Sequence, residues 1–145
     1  MTLAERKSRL LRARKLTSKE APETAAAIDG LLSAYPDRLH TITFDNGKEF
    51  AGYIEIASSL GVDVYFANPY HSWERGLNEN TNGLLRQYFP KGSDFTKVTD
   101  AEVQESVEKI NHRPRKCLDF KSPHEVFFGT VLSYTKRVAK VALRM

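Results

Sequence analysis

Two acidic residues stand where the local sequence would hold a carboxylate still. Asp45 directly follows the β-prone run His40–Phe44, and Asn46-Gly47 behind it is a turn signal. A carboxylate there projects from the carboxyl end of a strand, where ligands collect in open α/β sheets. Asp-Asn-Gly is also an ordinary strand-to-helix turn, and the motif alone favours that reading. Glu79 lies in the segment 74–89, which reads as a helix ended by Pro90-Lys91-Gly92. At about 100° per residue, Leu77, Thr81, Leu84, Leu85 and Tyr88 share one side of it. Glu79, Gly83 and Arg86 fall opposite, with Asn82 at their flank. Glu79 and Arg86 read either as a solvated face or as working groups. Asn78-Glu79-Asn80-Thr81-Asn82 is a poor helix former to place on a solvated face. Polar side chains that orient a carboxylate or contact sugar-phosphate would account for it.

The elements that must position these residues follow from the patterning. Residues 2–16 read as strand material, a hairpin turning near Lys7-Ser8. From Thr17 to Pro36, Ala25, Ile28, Leu32 and Tyr35 recur at helical spacing, with Pro22 suited to the first turn. Phe50, Ile54, Ala57 and Leu60 mark an amphipathic helix over 48–60, closed by Gly61. Val62–Ala67 is a further strand, and Asn68–Ser72 a loop. Thr99 with Glu102, and Ser122 with Glu125, form two capping boxes, each followed by apolar residues at helical spacing. Pro114 and Gly129 stop those helices. Strands and helices alternate through the middle of the chain, which indicates an α/β domain with a partly parallel sheet. The strands at 41–45 and 62–67 are expected to lie adjacent and parallel, joined by a right-handed crossover.

Composition narrows the class. The chain has 145 residues, 41% hydrophobic and 28% charged, a single domain's worth of a globular protein rather than a disordered tail. Its apolar runs are far shorter than the ~20 residues of a membrane span, and no apolar stretch follows the N-terminal charges as a secretory signal would require. Cys117 is the only cysteine, so an intrachain disulfide and a cysteine-based zinc site are excluded and a reducing cytoplasm is the default. The net charge of +4 is unevenly spread. Cations gather in 1–16, in 109–121, and in the tail at Lys136, Arg137, Lys140 and Arg144. Such clusters read as a polyanion-binding surface or as solvated faces, and charge does not settle which.

Longer motifs carry a resemblance. Thr43-Phe44-Asp45-Asn46-Gly47-Lys48-Glu49-Phe50 resembles the second acidic motif of retroviral-type integrases and DDE transposases. The run from Ser72 through Glu79 and Arg86 to Gly92 resembles the third motif of bacterial transposases of insertion-sequence family thirty. Asn111-His112-Arg113-Pro114-Arg115-Lys116 and Ser122-Pro123-His124-Glu125-Val126-Phe127 are similar to that family's C-terminal stretch. The resemblance covers nearly the whole chain.

It implies an α/β, ribonuclease-H-like fold, that of the retroviral integrase catalytic core, with an N-terminally truncated mixed sheet flanked by helices. One integrase-core domain would span 1–145, with the core over about 1–128 and a basic tail over 129–145. By the same resemblance, Asp45 is the second catalytic acid and Glu79 the third, facing each other across the sheet's carboxyl edge and binding Mg²⁺ or Mn²⁺. Arg86, Lys91, Arg113, Arg115 and Lys116 become candidate DNA contacts. Trp73 is either a stacking residue beside the site or a partly buried anchor, and His71 and His112 are structural or solvated. The family's first acid lies on a strand upstream of the segment resembling Thr2–Arg9 and has no counterpart here. Glu5 would fall on the wrong strand and Asp29 on a helix. The resemblance therefore implies the C-terminal part of a transposase, without the family's helix-turn-helix region and with little or no strand transfer of its own. The implied function is DNA transposition and integration by metal-dependent phosphoryl transfer. Implied partners are double-stranded DNA at transposon ends and target, another copy or a full-length transposase, in the bacterial cytoplasm at the nucleoid. The alternatives are a non-catalytic DNA-binding or interfering remnant, and an unrelated metal-dependent nuclease of the same fold.

Overall fold

A computed structural model describes residues 1–68 and 76–130. The readings made for His71, Trp73, the loop before them and the tail cations of 131–145 lie outside those residues. The described chain runs β1 (Thr2–Ala4), β2 (Leu11–Ala13), α1 (Ala21–Leu32), β3 (Thr41–Phe44), α2 (Tyr53–Leu60), β4 (Asp63–Phe66), α3 (Gly76–Leu85), α4 (Asp100–Asn111) and α5 (Pro123–Phe128).

β1 and β2 form the expected hairpin, antiparallel with Leu3 opposite Arg12. Its turn is built by Glu5. The carboxylate accepts the backbone N–H of Lys7 at 2.8 Å and of Ser8 at 2.6 Å, and the Ser8 hydroxyl as well. Burial alone would raise the Glu5 pKa, but the Ser8 and Lys7 bonds outweigh it and hold the carboxyl below its ordinary value. Glu5 is thus committed to the turn, consistent with its rejection as a site acid. On the far edge of β2, α4 acts in place of a neighbouring strand. The buried Asn111 amide accepts the Leu11 N–H at 2.8 Å and donates to the Leu11 carbonyl at 2.9 Å. Gln104 donates to the Ala13 carbonyl at 2.8 Å.

β3 and β4 pair in parallel, Thr41 opposite Asp63 through Phe44 opposite Phe66. This is the expected neighbour relation. The connection departs from the single 48–60 helix: a 3₁₀ turn at Lys48–Phe50 precedes α2, which begins only at Tyr53. The interruption shifts the buried face by two residues, so Ile56 is 2% exposed while Ile54, expected inside, is 66% exposed. Gly61 closes α2 in the left-handed conformation, φ 65°, which a side chain would resist.

Both capping boxes form as expected, Thr99 with Glu102 opening α4 and Ser122 with Glu125 opening α5. The strands make two separate two-stranded ladders rather than one mixed sheet. The apolar core divides accordingly. Leu11 and Ala13 pack on Val103, Val107 and Ile110 of α4, while Ile42 and Phe44 pack on Ile28 of α1, Ile56 and Val62. No helix among the described residues is long and apolar enough to cross a membrane.

Candidate active site

Asp45 leaves the carboxyl end of β3 half-buried. Its Oδ1 accepts the Gly47 N–H at 3.2 Å, and Asn46 ties the turn to the neighbouring strand by donating to the Ala67 carbonyl at 2.9 Å. Ala67 in turn donates to the Phe44 carbonyl at 2.8 Å. Phe50 then folds back and stacks flat on Phe44, ring centroids 4.5 Å apart. These four contacts together fix the chain on either side of the carboxylate. Gly47 has φ −70°, which any residue adopts. A Cβ there would meet only the carboxylate end of the Glu49 side chain, which can swing aside.

α3 has the face separation expected from its periodicity. Thr81 is buried and Leu77, Leu84 and Leu85 are half-buried, whereas Glu79, Asn82, Gly83 and Arg86 are exposed. Glu79 lies in the first turn, where a negative charge is favoured by the helix dipole. Leu77 and Asn78, from the same turn, line one cavity with Asp45, Phe44 and Ala67. The start of α3 and the end of β3 are thereby brought to a common space. Two members of the polar run serve the fold: Thr81 donates to the Leu77 carbonyl at 2.8 Å, and Asn82 accepts the Thr2 hydroxyl at 3.1 Å. Among the described residues, no three His, Cys, Asp or Glu side chains are grouped to hold a metal ion.

The candidate DNA contacts divide by environment. Arg86, in the turn after α3, lines a second cleft together with Arg14 and Lys15. Sequence patterning placed Arg14 and Lys15 in the N-terminal cluster and Arg86 on a helix face outside any cluster; hairpin and helix packing unite them. Lys91 and Lys116 are exposed. Arg113 is spent within the fold, donating to Gln87 Oε1 at 3.1 Å and to the Tyr88 hydroxyl at 3.3 Å. Arg115 is half-buried and donates to the Ile110 carbonyl at 3.4 Å. Burial, then the neighbouring Arg113 charge, press its pKa below the ordinary value. His112 stacks on His124 with centroids 4.5 Å apart, a structural placement.

The chain is 49% identical over 127 residues to the transposase for insertion sequence element IS4351 of Bacteroides fragilis. It is 41% identical over 126 residues to transposase InsI for element IS30C of Escherichia coli (strain K12). Its homologues are IS30-family transposases. The alignments take in 88% and 86% of this chain but 39% and 33% of the two transposases, so the chain spans well under half the length of these curated relatives. No family model matches it. Among solved structures, the catalytic core domain of BIV integrase superposes with a TM-score of 0.69 over 88% of this chain and 84% of that one, at 19% identity. A chain of the simian T-cell lymphotropic virus intasome superposes with a TM-score of 0.70 over 86% of this chain and 46% of that one, at 22% identity. The fold is therefore that of the retroviral integrase catalytic core, ribonuclease-H-like, as the transposase-like motifs implied.

Proposed function

We propose that this chain is a partial catalytic core for DNA transposition, contributing Asp45 and Glu79 as metal-binding carboxylates and Arg14, Lys15 and Arg86 as contacts to duplex phosphates. The observation that carries the reading is that Asp45, at the end of β3 in an integrase-core fold, shares a cavity with Leu77 and Asn78 of α3, the residues that immediately precede Glu79. The donor chemistry fits. Asp45 and Glu79 offer only oxygen, and hard divalent cations select carboxylate oxygen over nitrogen or sulfur. Two Mg²⁺ or Mn²⁺ ions, when bound, supply activation of an attacking oxygen and stabilisation of a leaving one.

The protein's own part is positional. The ties around residues 44–50 hold the Asp45 backbone in place, and positioning contributes directly to rate. Arg86 and its neighbours hold the anionic backbone, a role that adds affinity without sequence preference. The substrate class is double-stranded DNA at transposon ends and target, acted on with further copies or a longer transposase. Lys91 and Lys116, both exposed, extend the phosphate-contacting surface.

The absence of a three-acid cluster among the described residues favours a second reading, a non-catalytic DNA-binding form. A strand-transfer assay with Mg²⁺ or Mn²⁺ separates the two. It compares this chain with a version extended at its N-terminus by the preceding segment of a longer relative. Activity is expected in the extended protein and lost on Asp45→Asn or Glu79→Gln. Turnover indifferent to both substitutions would overturn the assignment of these acids, and DNA binding without turnover in either protein would establish the second reading.

A further inference from the structure

The loop between α4 and α5 puts an apolar ring among cations. Residues 113–121 carry Arg113, Arg115, Lys116 and Lys121 against Asp119 alone. Phe120 within them is 72% exposed, the most exposed large apolar side chain among the described residues. The backbone closes tightly around it. Arg115 N–H donates to the Lys121 carbonyl at 3.0 Å, and the Arg115 carbonyl accepts the N–H of Leu118 at 3.0 Å and of Phe120 at 2.9 Å. Asp119 N–H donates to the Lys116 carbonyl at 3.2 Å and Lys121 N–H to the Leu118 carbonyl at 3.0 Å. Within this closed loop both Asp119 and Phe120 take left-handed backbone, φ 53° and 63°. Asp tolerates that region, whereas a bulky aromatic there is an outlier. The loop thus holds Phe120 in solvent at a conformational cost, the kind of strain that gathers where a side chain has a partner to meet.

The surroundings define that partner. Lys116 and Lys121 are exposed, and Arg115 Nε is buried without a hydrogen-bond partner, so the loop calls for a polyanion. At its foot Arg113 donates to Gln87 and Tyr88, the two residues that follow Arg86, which makes the loop continuous with the turn that carries a proposed phosphate contact. A polyanion alone needs only cations. An exposed ring beside them fits one whose interior is a stack of apolar bases. Proteins that bend duplex DNA use this arrangement, an apolar wedge entering a base step while cations hold the backbone. We infer that Phe120 is a wedge that enters between two base pairs of the bound duplex, unstacking them and bending the DNA, with Lys116 and Lys121 on the flanking phosphates. This contact rests on the reading of the chain as a DNA-binding transposition core and adds deformation of the duplex to it.

Unstacking costs least where a base is already mispaired, and the test uses that difference. Binding of the full chain is measured by fluorescence anisotropy to a short labelled duplex, either fully paired or carrying one central T·T mismatch. A fluorescent purine beside the mismatch reports unstacking. The mismatched duplex is expected to bind at least about fivefold tighter, with a rise in purine fluorescence. Phe120→Ala is expected to remove both effects and to leave the salt dependence and the urea midpoint unchanged, while Phe120→Trp retains both effects. Lys121→Gln is expected to reduce the steepness of the salt dependence by about 0.9 and to keep the mismatch preference. Equal affinity for the two duplexes, or a preference that survives Phe120→Ala, would overturn the wedge and leave the phosphate-binding reading standing. Equally tight, Phe120-dependent binding of the single strand would overturn insertion, because it would mean that the ring stacks on bases already unpaired. Failure to bind any duplex at low salt would overturn the phosphate-binding reading and the wedge together.

Discussion

Replacing Arg86 with alanine removes one of three cations that line a single cleft, the others being Arg14 and Lys15, and the consequence for duplex binding can be worked out. Each phosphate neutralised on B-DNA releases condensed counterions and adds about −0.9 to the slope of log K against log salt. If each cation meets one phosphate, the cleft contributes a slope of about −2.7. Over a rise from 50 to 200 mM salt that contribution weakens binding about 40-fold. Without Arg86 the contribution falls to about −1.8, and the same salt step costs about 12-fold. Fluorescence anisotropy on a labelled duplex across that salt range reads the difference directly, whatever other cations add. Arg14→Ala is expected to give the same change, and changing the duplex sequence none. Lys109→Ala is the control, because its ammonium is already paired with Glu105 at 2.7 Å. Slopes unchanged by Arg86→Ala and Arg14→Ala, or changed as much by Lys109→Ala, would refute the cleft as the phosphate-binding surface.

Asn111→Ala leaves the N–H and carbonyl of Leu11 without partners in a buried setting; a loss of about 2–5 kcal/mol is expected, measured by urea unfolding. Thr99→Ala removes the hydroxyl that accepts the Glu102 N–H at 3.2 Å and is expected to cost about 1 kcal/mol by the same measurement. Glu23 is held at a pKa of about 2, chiefly by the Ser18 hydroxyl and then by the Thr17 N–H and hydroxyl. Because the folded pKa lies below the ordinary carboxyl value of 4.5, the contribution is present above that value and is lost as pH falls through about 2. The stability gap between the wild type and Glu23→Gln is therefore expected to be full at pH 6 and to close towards pH 2, as followed by unfolding curves at stepped pH.

What the sequence made legible was chiefly local. A capping box needs only residues three apart, so Thr99 and Ser122 could be read directly, as could the strand-end position of Asp45. Ile54 was misplaced because periodicity carries through only while the helix is continuous, and the 3₁₀ turn at Lys48–Phe50 resets the phase. The cleft shared by Arg14, Lys15 and Arg86 was hidden because it depends on how the hairpin packs on α3, an arrangement with no signature in either segment. The same holds for Asn111, which sits in a motif recognised by its basic neighbours yet bonds to Leu11 at the other end of the chain.

That clamp also has a meaning in time. Asn111 meets Leu11 across 100 residues of sequence, so the hairpin is formed early in synthesis but cannot be locked until α4 has left the ribosome. At about 5–20 residues per second, the interval is about 5–20 s, far longer than the microseconds in which a hairpin forms and frays. Throughout it the N-terminal strands open and close with both edges bare. The closing step brings together residues of high sequence separation, the kind of contact that slows folding most. A nascent chain held short of residue 111 would thus expose a sticky, reversible hairpin, and one released just beyond it would seal.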